Sequence, residues 1–214
     1  MFKPGDKLNP YDPAALELGA EGVAQRLQVG TTRKTGETPM EQMMREKREW
    51  AEADAKSAEL KVQGNNAFKS GDYKTAFVFY TVCMHLSGHE PLYPLNRAAA
   101  SLKLKLHANA VDDASRAIDS GDFNQAKAHF RRGQARCFLG EWDKAEEDYT
   151  KSLVLQPGDP NVIKESGELN RLRSLAPSEQ AAWIAEQGTL TMQDVFRPGE
   201  LKRRAEEILG KPIE

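Results

Sequence analysis

Residues 64–80 read GNNAFKSGDYKTAFVFY, and three of them decide the fold: Gly64, Ala76 and Tyr80, at offsets of 12 and then 4. The same offsets join Ala98, Ala110 and Ala114 inside AAASLKLKLHANAVDDA, and Gly133, Ala145 and Tyr149 inside GQARCFLGEWDKAEEDY. From Gly64 to Ala98 is 34 residues, and from Ala98 to Gly133 is 35. Three such triplets at a near-constant period signal an internal repeat. The physical reading is a row of helix–turn–helix units. Small residues at the first two positions let paired helices approach closely, and the third supplies an aromatic plug in repeats one and three. Turn signals separate the helices: SGDY after Phe68, KLHAN after Leu102 and LGEW after Phe138.

This pattern resembles the tetratricopeptide repeat family over about residues 57–175. The resemblance implies three repeats and a capping helix in a right-handed superhelix, with Pro157 closing repeat three. Asp159-Pro160 opens the expected capping helix, NVIKESGELNRLRSL, as N-cap and first helical position. Repeat two departs from the family: Pro94 lies near its helix start, it has no aromatic plug, and DSGDFNQ adds a residue before repeat three.

Composition agrees with an all-α class. Of 214 residues, 39% are hydrophobic and 29% charged, and helix formers dominate over β-branched runs. Lys plus Arg is 30 and Asp plus Glu is 32, a formal net charge of -2. That balance argues against bulk attraction to nucleic acid or membrane. No apolar run approaches membrane-spanning length, and MFKPGDKLNP lacks the core of a secretory signal. Two cysteines, Cys83 and Cys137, sit inside helical patterns, which fits a reducing compartment such as cytoplasm or nucleus rather than a disulfide framework.

The flanks carry weaker signals. Residues 1–38 are rich in turn residues and read as a flexible arm with one marginal helix after Asp12-Pro13. Thr38-Pro39 with Glu41 is a strong start signal for a helix of roughly 30 residues running towards Gly71. Met43 and Trp50 recur seven apart, predicting that the first half packs on a neighbour through Trp50. With the repeats, this makes 39–175 one domain. In 176–214, Pro177-Ser178-Glu179 starts a helix through Trp183, Thr191 with Asp194 is a capping pattern, and a last helix ends at Gly210. This extension either packs back on the repeats or holds a second partner.

In stacked pairs of this family, the first helices line a concave groove. Residues 126–136, AKAHFRRGQAR, place Lys127 and Arg131 four apart on one such helix, where like charges repel. Lys61 and Asn65 share a face in repeat one, and Asn96 stands near the start of the first helix of repeat two. Three cations and two amides converging in a groove suit a chain-terminal carboxylate beside an acidic side chain. Such charge-assisted bonds contribute roughly 1.5–3 kcal/mol each. After ordering costs, micromolar binding is expected, about -8 kcal/mol.

These five residues resemble, position by position, the dicarboxylate clamp of co-chaperone tetratricopeptide domains. The resemblance implies an adaptor for the Glu-Glu-Val-Asp terminus of the ninety- and seventy-kilodalton cytosolic heat-shock chaperones. Phe68, near Asn65, is expected to offer an apolar pocket to the tail, and Lys103 an auxiliary cation. Arg132 and Arg136 are expected to pair with flanking acids instead. The alternative is a scaffold subunit whose groove holds an internal or partner helix, such as the one through Trp50 or the segment around Trp183.

Other chemistry finds little support in the residues. Cys83, His85 and His89 lack a converging fourth metal ligand. His107 and His129 stand alone, and neither a phosphate loop nor a nucleophile–base pattern is visible. No enzyme activity, metal or cofactor is expected.

Overall fold

The computed structural model describes residues 36–121 and 124–213. Its contacts divide the chain into residues 1–51 and 52–214, with the boundary inside the first helix. The helix expected after Asp12-Pro13 lies outside the described residues, as does all but the end of the expected arm.

In the first unit, Thr38 and Glu41 form the expected reciprocal cap. The Thr38 N–H donates to Glu41 Oε2 at 2.9 Å, and the Glu41 N–H donates to Thr38 Oγ1 at 3.3 Å. This starts α1, Pro39–Lys69, of 31 residues. Met40, Met43 and Met44 are exposed and Trp50 is 60% exposed. The expected packing through Trp50 is not seen among the described residues of this unit. Sevenfold spacing aligns side chains on one helix face, but it does not provide a surface to cover them.

The second unit continues with α2 (Tyr73–Leu86), α3 (Leu92–Lys103), α4 (His107–Asp119), α5 (Gln125–Phe138), α6 (Trp142–Leu155) and α7 (Pro160–Arg173). From α2 to α7, each helix packs on the next. The contacts α3 with α5 and α5 with α7 bring first helices side by side. Asp159 caps α7 by accepting the Asn161 N–H at 2.9 Å. Among the described residues, no helix is long and apolar enough to cross a membrane.

The repeat triplets work as the spacing demands. A Cβ added to Gly64 would lie 2.9 Å from Tyr80 Cε1, and one on Gly133 would lie 2.7 Å from the Tyr149 ring. Wherever the plug is tyrosine, the facing position is therefore glycine. Repeat two instead has Ala98 and Ala114, both fully buried. Volume is conserved across the pair, so the missing plug leaves no demand for glycine.

Two further regularities emerge only in three dimensions. Gly71 and Gly140 turn the chain at φ of +85° and +75°, and the equivalent residue of repeat two is Lys105 at +59°. A left-handed conformation costs a residue with a Cβ roughly 1–2 kcal/mol. The second regularity is a polar rivet repeated 35 residues apart. Arg97 clasps Asp113 with bonds of 2.8 and 2.6 Å and donates to Thr81 Oγ1 of the preceding repeat at 3.1 Å. Arg132 clasps Asp148 at 2.9 and 2.8 Å and donates to Ser115 Oγ at 3.1 Å. Arg136 and His129 also reach Asp148, at 2.7 and 2.9 Å. The pairing expected for Arg132 and Arg136 is thus present, with its main acid on the facing helix.

The extension forms α8 (Pro177–Gln187), α9 (Met192–Val195) and α10 (Glu200–Leu209). It packs back on the repeats: Trp183 stacks on Phe138 with centroids 6.0 Å apart, and α10 lies on α2. Trp183 is thereby placed at the α5–α6 turn, so of the two readings left open for the extension it packs back on the repeats. The alternative that the Trp183 segment fills the groove is not what the structure shows.

Candidate functional site

The first helices α1, α3 and α5 each bring part of the predicted cradle. Ser57 Oγ and Tyr93 Oη, 2.7 Å apart, tie α1 to α3. The Arg131 guanidinium donates through Nη1 to the carbonyl of Leu95, tying α5 to α3 beside Asn96. Tyr80 donates its hydroxyl to Asn65 Oδ1 at 2.8 Å. The phenol and the Arg131 charge also act on each other electrostatically. Asn65, Tyr80, Arg131 and the backbone preceding Asn96 therefore form one connected centre.

Lys61 and Lys127 stand on the same two helices, α1 and α5. Lys61 lies one helical turn before Asn65 and is half-buried, close enough for its charge to act on the Cys83 thiol. Lys127 lies one turn before Arg131 and is exposed. Lys103, at the end of α3, is also exposed. Phe68 makes an edge contact with Tyr73 at 5.2 Å and packs against the first core cluster, so part of its ring supports repeat one.

The electrostatics set Arg131 apart. Among the described residues, the other half-buried arginines, Arg45, Arg97, Arg132, Arg136 and Arg204, each meet a carboxylate. Arg131 meets only the Leu95 carbonyl. Burial pushes its pKa down to about 10, with the Tyr80 phenol opposing weakly. A guanidinium held partly out of water without a counter-anion is a charge awaiting one. None of Lys61, Lys103 and Lys127 pairs with an acid among the described residues either.

The hydrogen bond from Tyr80 assigns Asn65 its orientation. With the amide oxygen accepting the phenol proton, the two N–H donors have no partner among the described residues. Tyr80 was expected only as a packing plug. Its hydroxyl, fifteen residues from Asn65, adds a positioning role that periodicity cannot express. Burial raises the phenol to about 12, so it remains a donor at neutral pH.

The residues set aside earlier have structural places. The Cys83 thiol donates to the Ser57 carbonyl at 3.2 Å, and Cys137 is buried in the third-repeat core. His107 is buried against Phe138, with ring centroids 4.7 Å apart. No group of three or more metal-ligating side chains occurs among the described residues.

Comparison with known proteins agrees with this architecture. The tetratricopeptide repeat profile matches residues 126–159. RNA polymerase II-associated protein 3 of Xenopus tropicalis is 34% identical over 154 residues, 70% of this chain and 23% of that protein. Protein unc-45 homolog B of Mus musculus is 38% identical over 121 residues, 55% of this chain and 13% of that protein. The chain thus spans a quarter or less of the length of these relatives.

Among solved structures, the first TPR of Spaghetti (RPAP3) bound to HSP90 peptide SRMEEVD is 33% identical. It superposes with a TM-score of 0.53, covering 57% of this chain and 96% of that one. The second TPR domain of human RPAP3 in complex with HSP70 peptide SGPTIEEVD is 35% identical, with a TM-score of 0.53, over 55% and 98%. With the repeat triplets, the paired helices and these matches in place, the chain belongs to the tetratricopeptide repeat family.

Proposed function

We propose that this chain is a co-chaperone-type adaptor whose groove takes the acidic C-terminal tail of a heat-shock chaperone of the ninety- or seventy-kilodalton class. It binds and does not catalyse, and it works in the cytoplasm, or in the nucleus, where its two free thiols stay reduced. The observation that supports this reading most is Arg131, the half-buried guanidinium that meets no carboxylate among the described residues, linked through the Tyr80 phenol to the oriented amide of Asn65. A dicarboxylate terminus supplies the missing charge. Lys61, Asn65 and Asn96 address the main-chain carboxylate, and Lys127 and Arg131 the acidic side chains. Lys103 adds a peripheral charge, and the uncovered edge of Phe68 an apolar contact. The similarity to domains solved with peptides ending in Glu-Glu-Val-Asp supports the same ligand class.

Calorimetry with a free-acid peptide ending in Glu-Glu-Val-Asp is expected to give one-to-one, micromolar binding, about -8 kcal/mol. Arg131→Glu or Lys127→Ala should abolish or strongly weaken it. Equal affinity for the same peptide with an amidated C-terminus would overturn the reading.

A further inference from the structure

The extension after the capping helix runs back across all three repeats. At repeat three, Trp183 stacks on Phe138 and lies 5.8 Å from Trp142, and Ile184 sits over the Gly140 turn. At repeat two, the Leu190 N–H donates to the Lys105 carbonyl at 2.9 Å. At repeat one, Phe196 packs on Phe77 with centroids 5.4 Å apart, Glu200 pairs with Lys74 at 2.8 Å, and Arg204 donates to Thr75 Oγ1 at 2.6 Å. Phe196 is 4% exposed, so this last station is part of the core.

We infer that residues 177–209 are a strap that sets the spacing of the three repeats and thereby the geometry of the groove. Ordinary repeat arrays are quasi-one-dimensional: each unit touches only its neighbours, so no direct contact joins the two ends. Here Trp183 and Phe196 join the third repeat to the first, closing the array on itself. The strap also grips repeat two at Lys105, the turn where a lysine holds the left-handed conformation that Gly71 and Gly140 supply elsewhere. The carbonyl presented by that strained turn is the one Leu190 binds.

Resting on the proposed tail binding, the consequence is that the cradle is preorganised from outside the groove. Asn65 stands on α1, whose partner helix α2 carries the last station of the strap. Arg131 stands on α5, whose C-terminal turn carries the first. Loosening the strap lets these two groups drift apart while each repeat remains folded.

The test uses the full chain with Leu190→Pro, which removes the donor to Lys105, combined with Phe196→Ala. Circular dichroism checks that the helices persist, and calorimetry with the Glu-Glu-Val-Asp peptide reads the groove. Affinity is expected to fall about tenfold, the loss of preorganisation being paid by the ligand. Adding Lys105→Gly, which relaxes the strained turn, should recover part of the stability lost. Unchanged affinity in the folded double variant would overturn the strap. If the parent chain binds no such peptide, the tail-binding reading fails, and urea unfolding decides the strap separately. Tryptophan fluorescence and circular dichroism should then coincide in the parent and separate in the double variant; coincidence in both would sink it.

Discussion

Tyr80, a buried plug between the helices of repeat one, donates its hydroxyl to Asn65 Oδ1 at 2.8 Å and so decides which way that amide faces. Packing and the proposed recognition meet in one side chain. Tyr80→Phe keeps the ring and removes the bond. Peptide affinity is expected to fall by about 0.5–1.5 kcal/mol with little change in fold. Calorimetry on the Asn65→Ala background should show no further loss, because the amide being oriented is gone.

Under the proposed function, Arg131 trades stability against binding. Replacing a half-buried cation that lacks a carboxylate should stabilise the free protein. Arg131→Met is expected to raise unfolding free energy by about 1 kcal/mol while abolishing peptide binding. Urea unfolding and calorimetry on the same variant check both halves. A destabilised Arg131→Met would show that the Leu95 contact already compensates the charge.

Asp148 holds Arg132, Arg136 and His129 in a buried cluster. Burial alone would raise its carboxyl, but the hydrogen bonds from Arg132 and His129 outweigh it and hold the pKa below the usual range. Asp148→Asn leaves the Arg132 guanidinium without a carboxylate and Arg136 with only its 3.9 Å contact to Glu141. A loss of about 3–5 kcal/mol is expected by chemical denaturation. Arg97 and Asp113 should behave alike in repeat two, although only one arginine depends on that acid.

Acid sensitivity should arise in two windows. Burial and the neighbouring Lys105 lower the pKa of His107. The folded state therefore binds its proton less readily than the unfolded chain. That contribution is complete above the unfolded value near 6.5 and is lost as pH falls below it. Asp148 follows the same sign in a lower window, below 3.8, its unfolded carboxylate value. Urea midpoints at pH 7.5 and 5.5 should differ less in His107→Phe than in the parent.

The glycine–tyrosine pairs give a volume test. Gly133→Ala drives a methyl group against Tyr149 and should cost about 1–3 kcal/mol. Combining it with Tyr149→Ala recreates the pair found in repeat two. The double variant should lose less than the two single losses added, as thermal unfolding would reveal.

Much of this molecule is written in local pattern. The triplets built on Gly64, Ala98 and Gly133 specify helix pairs, because only small residues let two backbones meet around a tyrosine. Caps were equally legible: Thr38 with Glu41, Asp159 with Pro160 and Thr191 with Asp194 act within one helical turn. The five residues of the proposed cradle could be named because each occupies a defined position within its repeat.

What only the tertiary structure decided are relations between distant turns. Trp50 and Trp183 look alike as isolated aromatic residues on amphipathic helices. Yet one is exposed and the other stacks on Phe138, since burial depends on which surface folds back to meet it. The grip of Leu190 on Lys105, the lack of a carboxylate at Arg131 among the described residues and the orientation of Asn65 belong to the same class. Spacing along a chain determines which side chains share a helix face, whereas charge compensation and contact across repeats depend on what the rest of the fold brings to that face.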